Sequence, residues 1–311
     1  MKLYPLKLDK TKLAIIALIA TNIMWGASAP IFKWSLQNVT PFTFAFIRFF
    51  LAALILLPFT MHKLTVKKRD FSRLISLSFI GFFIHISLFL FGLTLSSSIN
   101  APIIASSAPV FLVLGSVILL KEKIKKQTIL GTGVSLLGVL IIILRPLLDD
   151  GVDGAIIGNI LLVFSTLSFV VYTLLLKEFK FHYSSLTITF WLFAIAAVLF
   201  FPFFLWEKAT ADIFTIIDLR GLIGILFGAV FTSVLAYVFF NFAIRHIVTN
   251  EVGIFLYIDP IVAILIALPL LGETITKSFV LGSILVFLGI YIAERRIHYH
   301  PIHKMYKPHR S

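Results

Sequence analysis

Cysteine is absent from the 311 residues, so disulfides, thiolate metal sites and cysteine nucleophiles are excluded together. Charge is scarce too: Asp, Glu, Lys and Arg make up 13% of the chain, and only 14 residues are acidic. No HExxH, GxSxG or P-loop pattern occurs, which leaves metalloprotease, serine hydrolase and NTPase chemistry without a foundation. No cofactor and no metal site is expected. His298, His300, His303 and His309 lie among Lys and Arg at the C-terminus and read as a solvated basic tail.

What is present is apolar. The chain is 59% hydrophobic with a mean hydropathy of +1.05 and 33 phenylalanines, whereas soluble domains are about half apolar and about a quarter charged. The solvent for this surface is lipid. Ten uncharged runs approach the roughly 20 residues that cross a bilayer: Leu13–Ser35, Phe42–Met61, Leu74–Leu95, Asn100–Leu120, Gln127–Leu144, Gly154–Leu176, Ser184–Trp206, Leu219–Ile244, Asn250–Leu271 and Ser278–Ala293. The polar cluster Ser96-Ser97-Ser98-Ile99-Asn100 splits the third from the fourth. Ala27-Ser28-Ala29 resembles a signal cleavage site, but Pro30 follows it, and the first run is kept as a helix of the mature protein.

Lys and Arg in short loops orient such a chain. With the N-terminus cytoplasmic, 21 of the 27 Lys and Arg residues fall on that side and 5 on the other, leaving Arg48 inside a helix. Both termini are therefore expected in the cytoplasm, the chain in the cell (inner) membrane, and the +13 charge against anionic headgroups rather than nucleic acid.

The chain also repeats. Pro109, Glu122, Gly131 and Gly138 recur as Pro260, Glu273, Gly282 and Gly289, each 151 positions on. Lys33, Thr43, Ala52, Ala53 and Pro58 recur as Lys177, Thr187, Ala196, Ala197 and Pro202, each 144 on. Repeats govern the fold they occur in. Five helices per half is odd, so the second half enters from the opposite face. The expected plan is all-α, ten transmembrane helices in two inverted five-helix repeats, an arrangement that places solute sites near the midplane of secondary transporters. Its parts are a cytoplasmic segment 1–12, repeat one 13–145, an external linker 146–153, repeat two 154–296 and the basic tail 297–311. A homodimer is compatible with this plan.

These residues resemble the EamA family of the drug/metabolite transporter superfamily. The likeness rests on Trp25-Gly26, Lys33, Arg48, Pro109 and Leu119-Leu120-Lys121-Glu122 with Gly131 and Gly138. In the second half it rests on Ser168 to Tyr172, Asp259-Pro260 and Leu270-Leu271-Gly272-Glu273 with Gly282 and Gly289. It covers roughly Leu13 to Arg296 and implies alternating-access transport of small metabolites such as amino acids. Family members commonly carry Glu where this chain has Asp259, and Phe169 and Leu192 stand opposite Trp25 and Arg48. An asymmetric pocket follows.

Seven residues are expected to bind the solute: Trp25, Arg48, His85, Tyr172, Tyr237, Asn241 and Asp259. A charge inside a membrane helix costs a few kcal/mol and marks a functional site by default, which singles out Arg48. Asp259 and His85 are the protonatable pair expected to couple transport to protons; Asp259 before Pro260 also suits the cap of a restarted helix. Ser233, Tyr237 and Asn241 form a polar stripe at i, i+4 and i+8, which can bind solute or join helices. Lys33 is expected to snorkel, and Glu122 and Glu273 to pin the helix that follows each. The alternative function is a membrane-embedded enzyme acting on a lipid or lipid-linked sugar, which requires acids or histidines clustered at one membrane face.

Overall fold

A computed structural model describes residues 10–108, 110–111, 126–148, 156–178, 183–210, 218–244, 246 and 253–294. These residues are helical apart from turns and short loops, with no strand among them. In chain order the helices are α1 (Lys10–Ser35), α2 (Pro41–Thr60), α3 (Lys68–Leu95), α4 (Asn100–Ser106), α5 (Lys126–Ile143), α6 (Ile156–Glu178), α7 (Ser185–Thr210), α8 (Leu219–Ala243), α9 (Ile258–Leu271) and α10 (Lys277–Glu294). The helices α1, α2, α3, α6, α7 and α8 are long and apolar enough to cross a bilayer, while α5, α9 and α10 are apolar but shorter. Of the expected fourth span, α4, Ala108, Val110 and Phe111 are the described helical part. Pro109, Glu122 and the tail histidines lie outside the described residues.

Large apolar side chains point outward, Phe59 and Val198 each being 72% exposed. On a soluble protein such surface would demand a partner; here lipid covers it. Inside, Phe49, Phe82, Phe193 and Phe200 form a buried cluster, with Phe49 and Phe82 edge-to-face at 5.6 Å.

Equivalent segments of the two halves pack on each other. The start of α2 meets the end of α7, where the Glu207 carboxylate accepts the N–H groups of Phe42 (3.1 Å) and Thr43 (2.7 Å). It also accepts the hydroxyls of Thr40 and Thr43. An acid there satisfies the orphan donors of a helix N-terminus and complements its dipole. Thr187, the counterpart of Thr43, approaches the Lys63 carbonyl just past the end of α2, so the two helices run antiparallel. Glu207→Ala is expected to cost about 2–3 kcal/mol of stability, measured by denaturation in detergent micelles.

The same exchange relates α5 and α10. A Cβ on Gly138 would lie 2.6 Å from the Gly282 carbonyl oxygen, and one on Gly289 would lie 2.5 Å from that of Gly131. Backbone meets backbone, as small residues allow in membranes. Two hydrogen bonds mirror each other as well: Ser165 Oγ to the His85 carbonyl (3.0 Å) and Thr21 Oγ1 to the Ala236 carbonyl (3.3 Å). The shifts of 144 and 151 carry Thr21 onto Ser165 and His85 onto Ala236, so α6 sits on α3 as α1 sits on α8.

Both α3 and α8 contain a π-helical stretch, Phe79–Ile84 and Gly228–Leu235, and the 151 shift superposes their last residues. Such stretches are rare, re-aim the side chains around them and recur at functional sites. Here facing helices donate to carbonyls inside them: Ser168 Oγ to Ile80 at 2.7 Å and Trp25 Nε1 to Thr232 at 3.3 Å. Periodicity along the sequence gives no sign of either stretch.

Candidate functional site

A cavity of about 120 Å³ lies where α1, α2, α3, α4, α6, α8 and the start of α9 converge, walled by both halves. A void of about 150 Å³ takes a benzene-sized molecule, so this one suits a small solute. Of the seven expected residues, Trp25, Arg48, His85, Tyr237 and Asp259 line it. Ser28, Phe32, Phe89, Ser165, Thr166 and Phe169 complete much of the wall.

Tyr172 and Asn241 stand off the wall. Tyr172 is 0% exposed, with its ring against Gly81 and edge-to-face with Phe82 at 5.5 Å. Asn241 Nδ2 donates to Thr189 Oγ1 on α7 at 2.8 Å, which ties α8 to α7. The polar stripe on α8 is thus divided: Tyr237 faces the cavity, Asn241 faces a neighbouring helix, and Ser233 accepts from Arg48.

Arg48 is 3% exposed in the middle of this packing. Its Nε donates to Ser233 Oγ at 2.8 Å, and its Cζ lies 4.9 Å from the ring centroids of both Phe32 and Phe49. Rings on a guanidinium stabilise it through their quadrupoles, yet Nη1 is buried without a hydrogen-bond partner among the described residues. Asp259 stands in the first turn of α9, after the 3-10 turn Gly253–Tyr257. The helix restarts at this point as expected, but Tyr257 holds the cap position. Asp259 is 7% exposed and its Oδ1 has no hydrogen-bond partner among the described residues. Gly26 brings α1 against the Asp259 backbone: a Cβ on it would lie 2.6 Å from the Asp259 carbonyl oxygen.

His85 Nδ1 is 2.8 Å from Ser165 Oγ and 2.9 Å from the Ser165 carbonyl. Its ring lies 5.2 Å from Phe169. Trp25 meets Tyr237 at 5.3 Å and Phe169 at 6.0 Å, both edge-on, giving the cavity an aromatic floor. Sequence reasoning reached Phe169 only as the counterpart of Trp25 and missed Ser165, which lies 144 residues after Thr21.

Lys33 does not snorkel. Its Nζ donates to the Ser96 carbonyl at 2.6 Å and pairs with Glu273 Oε1 at 3.1 Å. Gly272, at φ 64°, ends α9 in the left-handed region that glycine tolerates, and Glu273 follows it. Rather than pinning its own following helix, Glu273 reaches the other half. It accepts from Ser97 Oγ (2.7 Å) and the N–H groups of Ser98 (2.7 Å) and Ile99 (3.1 Å) ahead of α4. Burial alone would raise its pKa, but Lys33 and these donors outweigh it and hold the carboxyl below its usual range. Beside it, Arg145 donates to Asn100 Oδ1 at 2.8 Å and to the Thr274 carbonyl at 3.1 Å. These contacts clamp the loop between α9 and α10 to the first half.

Span-length apolar helices around a solute-sized cavity describe a multi-pass membrane protein of the transporter class. The chain belongs to the EamA-like transporter family, whose model matches residues 12–144 and again 156–294. Among its relatives are an uncharacterized transporter of Bacillus subtilis, YyaM, 30% identical over 90% of this chain and 92% of its own length, and another, YetK, 27% identical over 90% and 86%. An uncharacterized transporter of Archaeoglobus fulgidus is 27% identical over 90% of this chain and 98% of its own. A crystal structure at 16% identity superposes with a TM-score of 0.64 over 94% of this chain and 99% of that one, a likeness of fold alone.

Proposed function

We propose that the protein is a secondary transporter that carries a small organic solute, an amino acid or related molecule, across the cytoplasmic membrane by alternating access. The observation that carries this reading is a cavity walled by both family repeats, with Arg48 from one and Asp259 from the other on its surface. Antiparallel packing of α2 on α7, and the exchanged glycine contacts of α5 and α10, support two inverted five-helix repeats with ten membrane spans. Lys and Arg asymmetry supports cytoplasmic termini. On that orientation the Lys33–Glu273 clamp closes the external face. Asp259 and His85 share the wall as the groups for proton coupling.

Purified protein in liposomes is expected to give saturable flux that is accelerated by solute on the far side. An imposed pH gradient is expected to change the rate. Flux indifferent to the gradient removes the proton coupling, and flux that neither saturates nor exchanges removes the carrier.

A further inference from the structure

Among the described residues Arg48 is a buried cation without a counter-ion. Its only hydrogen bond among the described residues is the one from Nε to Ser233, and Nη1 has no partner although it is buried. The Phe32 and Phe49 faces flank it but offer no lone pair for an N–H to reach. Asp259 lines the same cavity, and no ion pair joins the two; its Oδ1 is likewise buried and has no partner among the described residues. Buried charges are retained where something neutralises them. Here the described residues hold nothing that does so for Arg48, which lines the cavity where a solute would sit.

We infer that the carried solute is a small carboxylate whose carboxyl group docks on the free terminal edge of the Arg48 guanidinium. This rests on the carrier reading above. The planar fork of a guanidinium matches a carboxylate and forms charge-assisted hydrogen bonds with it. A monoanion balances the one positive charge, whereas a phosphate dianion would bring a second negative charge beside the Asp259 carboxyl. The remaining wall is largely apolar and aromatic, with Trp25, Phe89 and Phe169, so the body of the solute is apolar. Ser233 is a positioning residue. It occupies Nε from within the π-helical stretch of α8, which leaves the terminal nitrogens for a solute.

Matched solutes test this. On the leucine and phenylalanine skeletons the set is the amino acid, the acid lacking its amine (4-methylpentanoate, 3-phenylpropanoate) and the amine lacking its carboxyl (3-methylbutylamine, 2-phenylethylamine). Their effect on the Tm of the purified full-length protein reads binding, because a ligand of the folded state stabilises it. Carboxylates are expected to raise Tm and the amines to leave it unchanged; whether amino acid or plain acid binds better reports what Asp259 faces. Arg48→Gln is expected to weaken carboxylate binding at least about tenfold. Ser233→Ala, which keeps the charge, is expected to narrow the preference for acid over amine, and it carries the test if Arg48→Gln does not fold. Stabilisation by the amines equal to that by the acids, no response to any acid, or unchanged acid binding in both variants overturns the inference. A solute without an acidic group that exchanges saturably across liposomes also overturns it while leaving the carrier standing. Absence of exchange for every solute removes the carrier, and the inference with it.

Discussion

Gly26→Leu is expected to abolish solute flux while leaving the chain helical. A Cβ on Gly26 would lie 2.6 Å from the Asp259 carbonyl oxygen, 2.8 Å from its Cα and 3.0 Å from Val262 Cβ. Two of those three atoms are backbone, so no rotamer relieves the clash and α1 must separate from α9. Overpacking of a well-packed contact costs about 1–3 kcal/mol, and a backbone obstacle places this substitution at the upper end. The larger effect is on geometry. Trp25 and Asp259 line the cavity from the two sides of this contact, and separating the helices moves both away from the solute. Gly26→Ala should produce a milder version of the same defect. Circular dichroism and Tm in detergent measure the structural part, and counterflow in liposomes the functional part. Wild-type flux in Gly26→Leu would show that the α1–α9 contact does not shape the site.

The helices were legible because their signal is gross: uncharged runs of membrane length need no partner to be recognised. The repeat was legible because equal spacings survive in one chain, and it reached Phe169 as the counterpart of Trp25. Five wall residues were readable for a plain reason, since Arg48, His85 and Asp259 are costly in lipid and Trp25 and Tyr237 accompany them. What the sequence hid lies between helices. Nothing in the composition of α8 distinguishes Tyr237, which faces the cavity, from Asn241, which faces Thr189. That division depends on the π-helical stretch ahead of them and on which neighbour lies against each face. Lys33 was misread for a related reason. Near a membrane surface snorkelling is a lysine's ordinary option, and its partner, Glu273, lies 240 residues away in sequence. Such a contact exists only once the second half folds back on the first.

Glu273→Gln is expected to open the clamped face and to remove an acid-sensitive contribution to stability. The amide keeps one acceptor but loses the charge that pairs with Lys33 and strengthens the bonds from Ser97, Ser98 and Ile99. The expected loss is about 2 kcal/mol. The sign of the pH dependence follows from the direction of the shift. The folded-state carboxyl titrates below its ordinary value of 4.5, so its contribution is complete above that value and fades as pH falls through the depressed one. Wild-type Tm should therefore fall below about pH 4.5 by more than that of Glu273→Gln. Arg145 holds the neighbouring Thr274 carbonyl and Lys33 the Ser96 carbonyl in wild type and variant alike, so the difference between the two profiles isolates Glu273. The absence of cysteine makes the second measurement clean. Ala101→Cys places one thiol on the cavity wall, just inside the clamp. On the carrier reading, adding Glu273→Gln should raise its labelling by a membrane-impermeant maleimide from the external side several-fold. Equal labelling with and without the Glu273 carboxylate would mean that the clamp staples the fold and does not govern access to the cavity.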